Sequence, residues 1–299
     1  MTTRRDFLKA GVTTAIAGTA VATGLPMFGA KNAEAAISTA HPFGYPVEGL
    51  NPELAAEYGY MGYTNSLSPV GGSGHGCAHA VFTAIIGYLA TLKLVDASGT
   101  PVANPFASIP KNMMNWGAGG SGIGTLCGAL NGAFAAFGLI TTDNGELIKE
   151  LTTWYAESML PEYVPVGVPA RPTTYLDIPQ SIAGTELCHA SVTNWCRTSG
   201  VNVADASRGE RCARLSGDVA AKAVELLNAK FVSGTFVKAG ATPGQKTTCY
   251  ACHNQTVKDT AGNYRTYDQG GFVKSEQGCT VCHSDLKRVS ANGHRSSSK

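Results

Sequence analysis

The sequence is poor in charge, and its two signs nearly balance. Charged residues make up 15% of the 299 residues, and the formal net charge is only +2. Proteins that bind nucleic acid concentrate basic residues to neutralise phosphates, so this class of partner is disfavoured. The hydrophobic fraction of 43% is large enough to build a buried core. We therefore expect a folded protein with no nucleic-acid partner.

Long apolar runs are missing beyond the N-terminal segment. The apolar run from Ala80 to Leu92 has 13 residues, which is too short to cross a bilayer and suits a buried helix. Glycine-rich stretches at 71–76 and 117–124 precede helical patterns, but neither ends in the Gly-Lys-Ser or Gly-Lys-Thr of a phosphate-binding loop. Membrane-spanning and nucleotide-binding functions are therefore disfavoured.

Residues 1–35 have the features of a twin-arginine export signal. Arg4 and Arg5 precede a weakly apolar run, and the small residues around Ala35 supply a cleavage site before Ala36. A retained membrane anchor is the alternative, but the glycines and Pro26 make this run a poor span. We expect a mature protein that is exported to the periplasm and carries no membrane anchor.

Two copies of Cys-x-x-Cys-His, at 249–253 and 279–283, are the strongest chemical signal. Two cysteines at this spacing form thioethers to the vinyl groups of one haem, and the adjacent histidine binds its iron, which is how c-type haem is attached. The sequence therefore predicts two haem c groups per chain. Their thioethers would come from Cys249, Cys252, Cys279 and Cys282, and their proximal iron ligands would be His253 and His283.

A zinc ribbon is the alternative use of the same four cysteines. Two Cys-x-x-Cys pairs are able to hold one Zn²⁺ through four thiolates. That site gives no reason for a histidine after both pairs, nor for export to the compartment where c-type haem is attached. Haem is therefore the favoured interpretation.

The sixth position of each haem iron decides between electron transfer and catalysis. A second strong ligand leaves an electron carrier, whereas an open position allows oxygen or peroxide chemistry. His75 and His79 are four residues apart at a helix start, so they are able to share one face and are our candidate distal ligands. A structural hydrogen-bonding role is the alternative for each. His41, His189 and His294 are weaker candidates.

Five further cysteines fall on or beside predicted helices: Cys77, Cys127, Cys188, Cys196 and Cys212. Disulfides or inert core thiols would account for them. A metal site is the other interpretation, since Cys188 and Cys196 are eight residues apart on one helical face and Cys212 begins another helix. We expect a subset of the five to bind an iron–sulfur cluster of the [2Fe–2S] type.

Apolar periodicity predicts a mainly α fold. Helices are expected around 80–92, 125–134, 146–159 and 211–231, and the close approach of two helices is expected at Gly128 and Gly132. In the last helix, Arg214 and Asp218 lie off the apolar stripe. The sequence becomes polar near 235–245, which indicates a boundary. We expect three parts: a signal peptide (1–35), a helical cysteine-containing domain with glycine-rich loops (36–240) and a small, loop-rich dihaem domain (241–299).

Several of these motifs, taken in order, resemble a known family. They are Gly-Cys77-Ala, Cys127-Gly-Ala-Leu-Asn-Gly-Ala, Cys188 with Trp195-Cys196, Arg211-Cys212-Ala-Arg and the two haem pentapeptides. The mature chain resembles the split-Soret cytochromes c of sulfate-reducing bacteria, and its N-terminal part is similar to the wider redox-active family named for its Cys and Gly-Cys-Ala elements. Where that name requires a cysteine before Gly-Cys-Ala, this chain has His75, which puts the wider family's dithiol chemistry in doubt.

The resemblance implies a homodimer with haems near its interface. It also implies a largely helical N-terminal domain, two closely stacked haems per subunit with bis-histidine ligation, one axial histidine supplied by the partner subunit, and a non-haem iron–sulfur centre bound by cysteines.

We therefore expect an electron-transfer cytochrome rather than an enzyme, with a redox protein as its partner. One alternative is a haem enzyme that reduces peroxide or nitrogen oxides at an open site. The other is a redox protein that works through its thiols or cluster.

Overall fold

The computed structural model describes residues 34–36, 43–64, 68–70, 75–96, 98–166, 177–237, 258–263, 289–290 and 293–294. For 34–36, 289–290 and 293–294 the description is of the backbone. Both haem pentapeptides and His41 lie outside the described residues, and so do most of the predicted signal peptide and of the predicted dihaem domain. The division into three parts therefore stays a prediction. Within the described part, no helix is long and apolar enough to cross a membrane.

The fold is mainly α, as the sequence predicts. The helices are α1 (Pro52–Tyr63), α2 (Gly76–Phe82), α3 (Tyr88–Thr91), α4 (Gly128–Ile140), α5 (Gly145–Glu157), α6 (Cys188–Ser199) and α7 (Ala206–Phe231). A π-helical turn, Thr83–Gly87, joins α2 to α3 into one continuous rod. Two 3₁₀ segments, Pro105–Ser108 and Lys111–Gly117, follow in the proline-containing connection.

The strands of the described residues are short, with two or three residues each. A three-stranded sheet has the order β1 (Glu34–Ala36), β2 (Lys93–Val95) and β3 (Pro101–Val102), with β1 parallel and β3 antiparallel to β2. The other strands of the described residues form two antiparallel pairs. They are β4 (Met159–Leu160) with β5 (Ser181–Ile182), and β6 (Val289–Ser290) with β7 (Gly293–His294).

Glycines set the distance between the core helices. A Cβ added at Gly132 of α4 would overlap the carbonyl oxygen of Ala78 in α2, so the two backbones touch there. Gly59 of α1 has the same relation to α7, since its added Cβ would lie 2.6 Å from the Ser216 carbonyl oxygen. The predicted close packing of two small-residue helices is thus confirmed for α2 and α4. It brings the start of α2 against the start of α4.

Helix α7 begins earlier and is buried on more of its circumference than the sequence predicts. Its N-cap is Asp205, whose side chain accepts a hydrogen bond from the Ser207 backbone N–H, so the helix starts at Ala206 rather than at Arg211. Cys212 therefore lies in the second turn, and the expectation that it begins a helix is wrong. Arg214 and Asp218, expected off the apolar stripe, are buried.

Hydrogen bonds explain this burial, one within α7 and two to the backbone of residues 162–163. The Arg214 Nε donates to Glu210 at 2.9 Å, and the Asp218 carboxylate accepts from the backbone N–H groups of Glu162 and Tyr163 at 2.9 and 2.8 Å. Buried charged groups need such partners because burial removes their hydration. The apolar pattern alone contains no sign of them.

Candidate metal centre

Three of the five candidate cysteines lie at helix N-termini. Cys77 is the second residue of α2, Cys127 is the N-cap of α4 and Cys188 is the first residue of α6. The N-terminus of a helix carries partial positive charge from its free N–H groups, so it favours a thiolate over a thiol. The three positions together suit an anionic group.

Backbone pairing holds two of these helix starts together. The Cys188 N–H donates to the Thr125 carbonyl at 2.7 Å, and the Cys127 N–H donates to the Glu186 carbonyl at 2.9 Å. The isolated bridge between Leu126 and Leu187 lies between these two bonds. The segments that lead into α4 and α6 therefore run antiparallel and bring Cys127 and Cys188 side by side.

Glycines let the backbone approach the sulfur atoms. Gly119 has a φ of +59°, and a Cβ added to it would lie 3.1 Å from Cys188 Sγ. A Cβ at Gly128 would overlap Cys77 Sγ and would lie 2.8 Å from the Ala118 Cα. The glycine-rich stretch 117–124 thus contacts Cys188 through Gly119, and Gly128 at the start of α4 contacts Cys77.

The fourth cysteine comes from α7 together with a buried arginine. Cys212 Sγ lies 3.8 Å from Nη1 of Arg211, and Nη2 of Arg211 donates a 2.6 Å hydrogen bond to Ser191 Oγ. Side-chain hydrogen bonds from Tyr63 and Arg208 also reach Cys212. Two cationic side chains therefore accompany this sulfur.

The sulfur atoms interact strongly enough to shift the pKa values of Cys77, Cys127 and Cys188. A hydrogen bond from Cys77 is the main reason why the pKa of Cys127 falls to about 6, with help from Tyr155 and Arg211 and against the effect of burial. The same bond to Cys127, and then burial, raise the pKa of Cys77 well above its usual value. Burial, and then the charges of Cys127 and Cys212, raise the pKa of Cys188 to about 11. Among these three cysteines, negative charge therefore belongs first to Cys127.

Arg211 shows that this region needs an anion. Its side chain is 2% exposed, and its Nε has no hydrogen-bond partner in the described part of the chain. Burial lowers the pKa of Arg211, but the negative charges of Cys212, Tyr155 and Cys127 outweigh it and raise the pKa. A buried guanidinium is costly without a counter-charge. Among the described groups, Cys127, whose pKa falls to about 6, supplies one most readily.

The cysteines are neighbours but do not form a single-ion site. All five are free thiols, and among the described residues no three His, Cys, Asp or Glu side chains are grouped so as to hold one metal ion. A cluster that shares its ligands among several irons does not need all of them around one ion. Cys196 is set apart, two turns further along α6 and about 12 Å from Cys188 along the axis.

The two candidate distal histidines lie next to each other at the start of α2. Their ring centroids are 5.1 Å apart and their planes meet at 67°. His75 is exposed, whereas His79 is 2% exposed and neither of its ring nitrogens makes a hydrogen bond of ordinary geometry. Burial, and then the charge of His75, lower the pKa of His79, although Asn115 and the Lys111 backbone partly oppose this. A neutral, unpaired imidazole is the form that binds a metal.

Comparison with known proteins decides the family. The model of the family described as "Putative redox-active protein (C_GCAxxG_C_C)" matches residues 76–226. The split-Soret cytochrome c of Desulfovibrio desulfuricans is 31% identical over 246 residues, which are 81% of this chain and 78% of that protein. The chain belongs to the split-Soret cytochrome c family. It is thus a c-type cytochrome, a haem protein of electron transport.

The fold supports the same family. The solved structure of the Desulfovibrio desulfuricans split-Soret cytochrome c, described as having a novel iron centre, matches with a TM-score of 0.64 and 30% identity. The match covers 87% of this chain and 96% of that one. The part that resembles the split-Soret cytochromes c therefore extends well beyond the cysteine-containing helices.

Among the other histidines, His189 is placed less favourably for iron. His189 is exposed on the first turn of α6, and its Nδ1 lies 3.0 Å from the Gly124 carbonyl oxygen. His294 belongs to β7, of which only the backbone is described. The proximal candidates His253 and His283, and the four thioether cysteines, lie outside the described residues and stay predictions.

Three buried residues around Cys127 were missed by the sequence analysis: Tyr155, Ser191 and Arg211. They come from three helices, α5, α6 and α7, so no local spacing connects them. Arg211 was noted as part of a motif without a role. Arg211 could have been identified from the sequence, because it is a charged residue directly before a cysteine in a helix with a strong apolar stripe.

Proposed function

We propose that this protein is a periplasmic electron carrier with two bis-histidine haem c groups and an iron–sulfur centre. The observation that carries the proposal is the buried imidazole of His79, with both nitrogens free of ordinary hydrogen bonds and with His75 beside it. Two adjacent imidazoles suit the sixth positions of two neighbouring haems. With those positions filled, no substrate reaches iron.

The proposed haem ligands combine described and predicted residues. Cys249 and Cys252 would hold one haem and Cys279 and Cys282 the other, with His253 and His283 as proximal ligands. Bound haem supplies a one-electron couple at each iron. The chain's own contribution at the distal side is to keep His79 neutral by burial and to keep water away from it.

The proposed iron–sulfur centre lies among Cys77, Cys127, Cys188 and Cys212. Its support is the donor set: four free thiols that interact electrostatically, three of them at helix N-termini. The buried Arg211 adds a cation whose hydrogen-bond partners in the described part of the chain include no carboxylate, as an anionic cluster requires. A bound cluster would supply a further one-electron couple. Cys196, apart from the other four, is left out of this ligand set.

The remaining parts of the proposal rest on sequence and family. The N-terminal motif supports twin-arginine export to the periplasm, and the resemblance supports a homodimer with haems near its interface and a redox protein as partner. The described residues do not bear on these points.

Optical spectroscopy of the purified protein tests the proposal. We expect a pyridine haemochrome with two haem c per chain and a split Soret band from closely coupled haems. Reduced protein should not bind carbon monoxide, because both sixth positions are filled. Carbon monoxide binding by a large fraction of the haem would instead support a haem enzyme with an open site. Absence of a c-type haemochrome would overturn the haem assignment.

A further inference from the structure

The buried guanidinium of Arg211 is held in place by hydrogen bonds on two sides. Its Nη2 donates a 2.6 Å hydrogen bond to Ser191 Oγ on α6, and its Nη1 donates to the Cys212 sulfur on α7 at 3.8 Å. The Tyr155 hydroxyl of α5 also donates to Ser191 Oγ, at 2.8 Å, so the two donors fill both acceptor positions of that oxygen. Ser191 and Tyr155 are fully buried, so water does not compete for these bonds. The guanidinium is therefore fixed beside Cys212.

Among the described residues, no carboxylate forms an ion pair with Arg211. The carboxylate of the preceding residue, Glu210, instead accepts from Arg214 Nε at 2.9 Å and from the Tyr60 hydroxyl at 3.1 Å. Arg211 Nε is buried and has no hydrogen-bond partner in this part of the chain. A buried cation with an unpaired N–H group is costly unless an anion accompanies it. Arg211 therefore needs an acceptor for Nε that the side chains around it do not supply.

We propose that Arg211 is the counter-charge of the iron–sulfur centre, and that it raises the reduction potential of the centre through its charge and its hydrogen bond to the Cys212 sulfur. The inference rests on the iron–sulfur centre proposed above. Reduction adds one electron and makes a cluster more negative, and a fixed cation nearby stabilises the more negative form. A hydrogen bond to a ligand sulfur acts in the same direction. The unpaired Nε would find its acceptor in the sulfide of the bound centre.

Two variants of the holoprotein separate the charge of Arg211 from its size and polarity. Arg211→Gln keeps a polar side chain and removes the charge, whereas Arg211→Lys keeps the charge. We expect Arg211→Gln to lower the midpoint potential of the non-haem centre, in a redox titration followed by electron paramagnetic resonance, and to leave the haem potentials unchanged. It should also release iron to a chelator about tenfold faster, because a buried anion loses its paired cation. Arg211→Lys should recover most of the wild-type potential.

Arg214→Lys is the matched control for these variants. Arg214 is buried three residues further along the same helix, but its charge is paired with Glu210. Lysine preserves that charge, so the potential of the non-haem centre should stay at the wild-type value. A wild-type potential in Arg211→Gln would overturn the proposal. Shifts in Arg211→Lys or Arg214→Lys as large as the shift in Arg211→Gln would overturn it as well.

A stability measurement decides the case in which Arg211→Gln binds no non-haem iron. The substitution is then also made in Cys127→Ser, which lacks one ligand of the proposed centre, and all four proteins are unfolded with urea. A counter-charge stabilises the protein only when the centre is present. Arg211→Gln should therefore lower the unfolding midpoint of the wild-type protein and not that of Cys127→Ser. Equal losses in the two backgrounds would show a purely structural role and overturn the proposal.

Iron and acid-labile sulfide analysis of the wild-type protein separates this inference from the proposed centre itself. Protein without non-haem iron and sulfide would show that the centre is absent, and the inference would fall with it. Protein that contains the centre, at a potential that does not depend on Arg211, would overturn the inference alone.

Discussion

The Cys188 N–H donates a 2.7 Å hydrogen bond to the Thr125 carbonyl, so the start of α6 is fastened to the segment that leads into α4. Cys188 and Cys127 are 61 residues apart in the chain and become neighbours through this pairing. Gly119 of the neighbouring glycine-rich segment packs against the Cys188 sulfur. The candidate metal centre is therefore built by loops between helices as much as by the helices themselves.

Replacing the four neighbouring cysteines one at a time should remove the iron–sulfur centre. Cys127→Ser and Cys212→Ser are expected to lose most non-haem iron and acid-labile sulfide while retaining the haem spectrum. Cys196→Ser is the matched control, since Cys196 lies on α6 away from the other four, and it should keep both. Iron and sulfide analysis against haem content checks this. Equal losses in Cys196→Ser would contradict the ligand set.

Gly128→Ala should disrupt the candidate metal centre through packing alone. The new methyl group would overlap Cys77 Sγ and the backbone of 117–118, so we expect a loss of about 1–3 kcal/mol in the free energy of unfolding and less bound non-haem iron.

Gly138→Ala is the matched control for this substitution. It lies in the same helix, and the nearest atom to its added Cβ is 4.0 Å away. It should stabilise the protein by up to about 1 kcal/mol, because alanine favours helix more than glycine does. Urea unfolding of the three proteins checks both values. Similar stability of the two variants would show that the contact at Gly128 is not restrictive.

His79→Ala should open one haem to an external ligand. If His79 is a distal ligand, the reduced variant will bind carbon monoxide at about half of its haem, and the wild-type protein will not. His75→Ala should open the other haem. His189→Ala serves as the control because His189 is exposed and bonded to the Gly124 backbone. Optical titration with carbon monoxide gives the result, and a His79→Ala variant that stays inert would remove His79 from the iron.

Asn228→Ala should loosen the N-terminal segment from α7. The Asn228 side chain accepts from Tyr45 and from the Leu50 N–H, and it donates to the Leu50 carbonyl at 2.8 Å. Its removal leaves partly buried groups without partners, at a cost of about 2–4 kcal/mol. Lys222→Ala removes a partly exposed ion pair with Glu225 and a 6.0 Å cation–π contact with Trp154, and it should cost no more than about 1 kcal/mol. Equal losses in chemical unfolding would contradict this role.

The helices were accessible from the sequence because each has a local cause. The apolar run at Ala80–Leu92 predicts the rod that contains α2 and α3, and the glycines at 128 and 132 predict its close contact with α4. The adjacency of His75 and His79 follows from helical spacing, and their rings are indeed neighbours.

The composition of the candidate centre was less accessible, because its members meet through tertiary structure. The pairing of Cys188 with Cys196 used helical spacing, whereas the structure brings Cys188 to Cys127 through a backbone pairing with no sequence signature. Arg211 and Asp218 are charged, and charge predicts exposure unless the partner is known. The partner of Arg211 is Ser191, which lies 20 residues away along the chain. The partners of Asp218 are the backbone N–H groups of Glu162 and Tyr163, which lie 56 and 55 residues away.

The π-helical turn Thr83–Gly87 changes which side chains of the α2–α3 helical segment face the core. One wider turn inserts an extra residue, so the residues before it are rotated by about 100° relative to those after it. This rotation keeps Leu89, after the turn, in the core. Before the turn, Cys77 lies towards the other candidate cysteines, and His79 lies beside His75. Deleting one residue from this turn would restore a regular α-helix and would rotate the end that contains Cys77 and His79 by about 100° relative to the core.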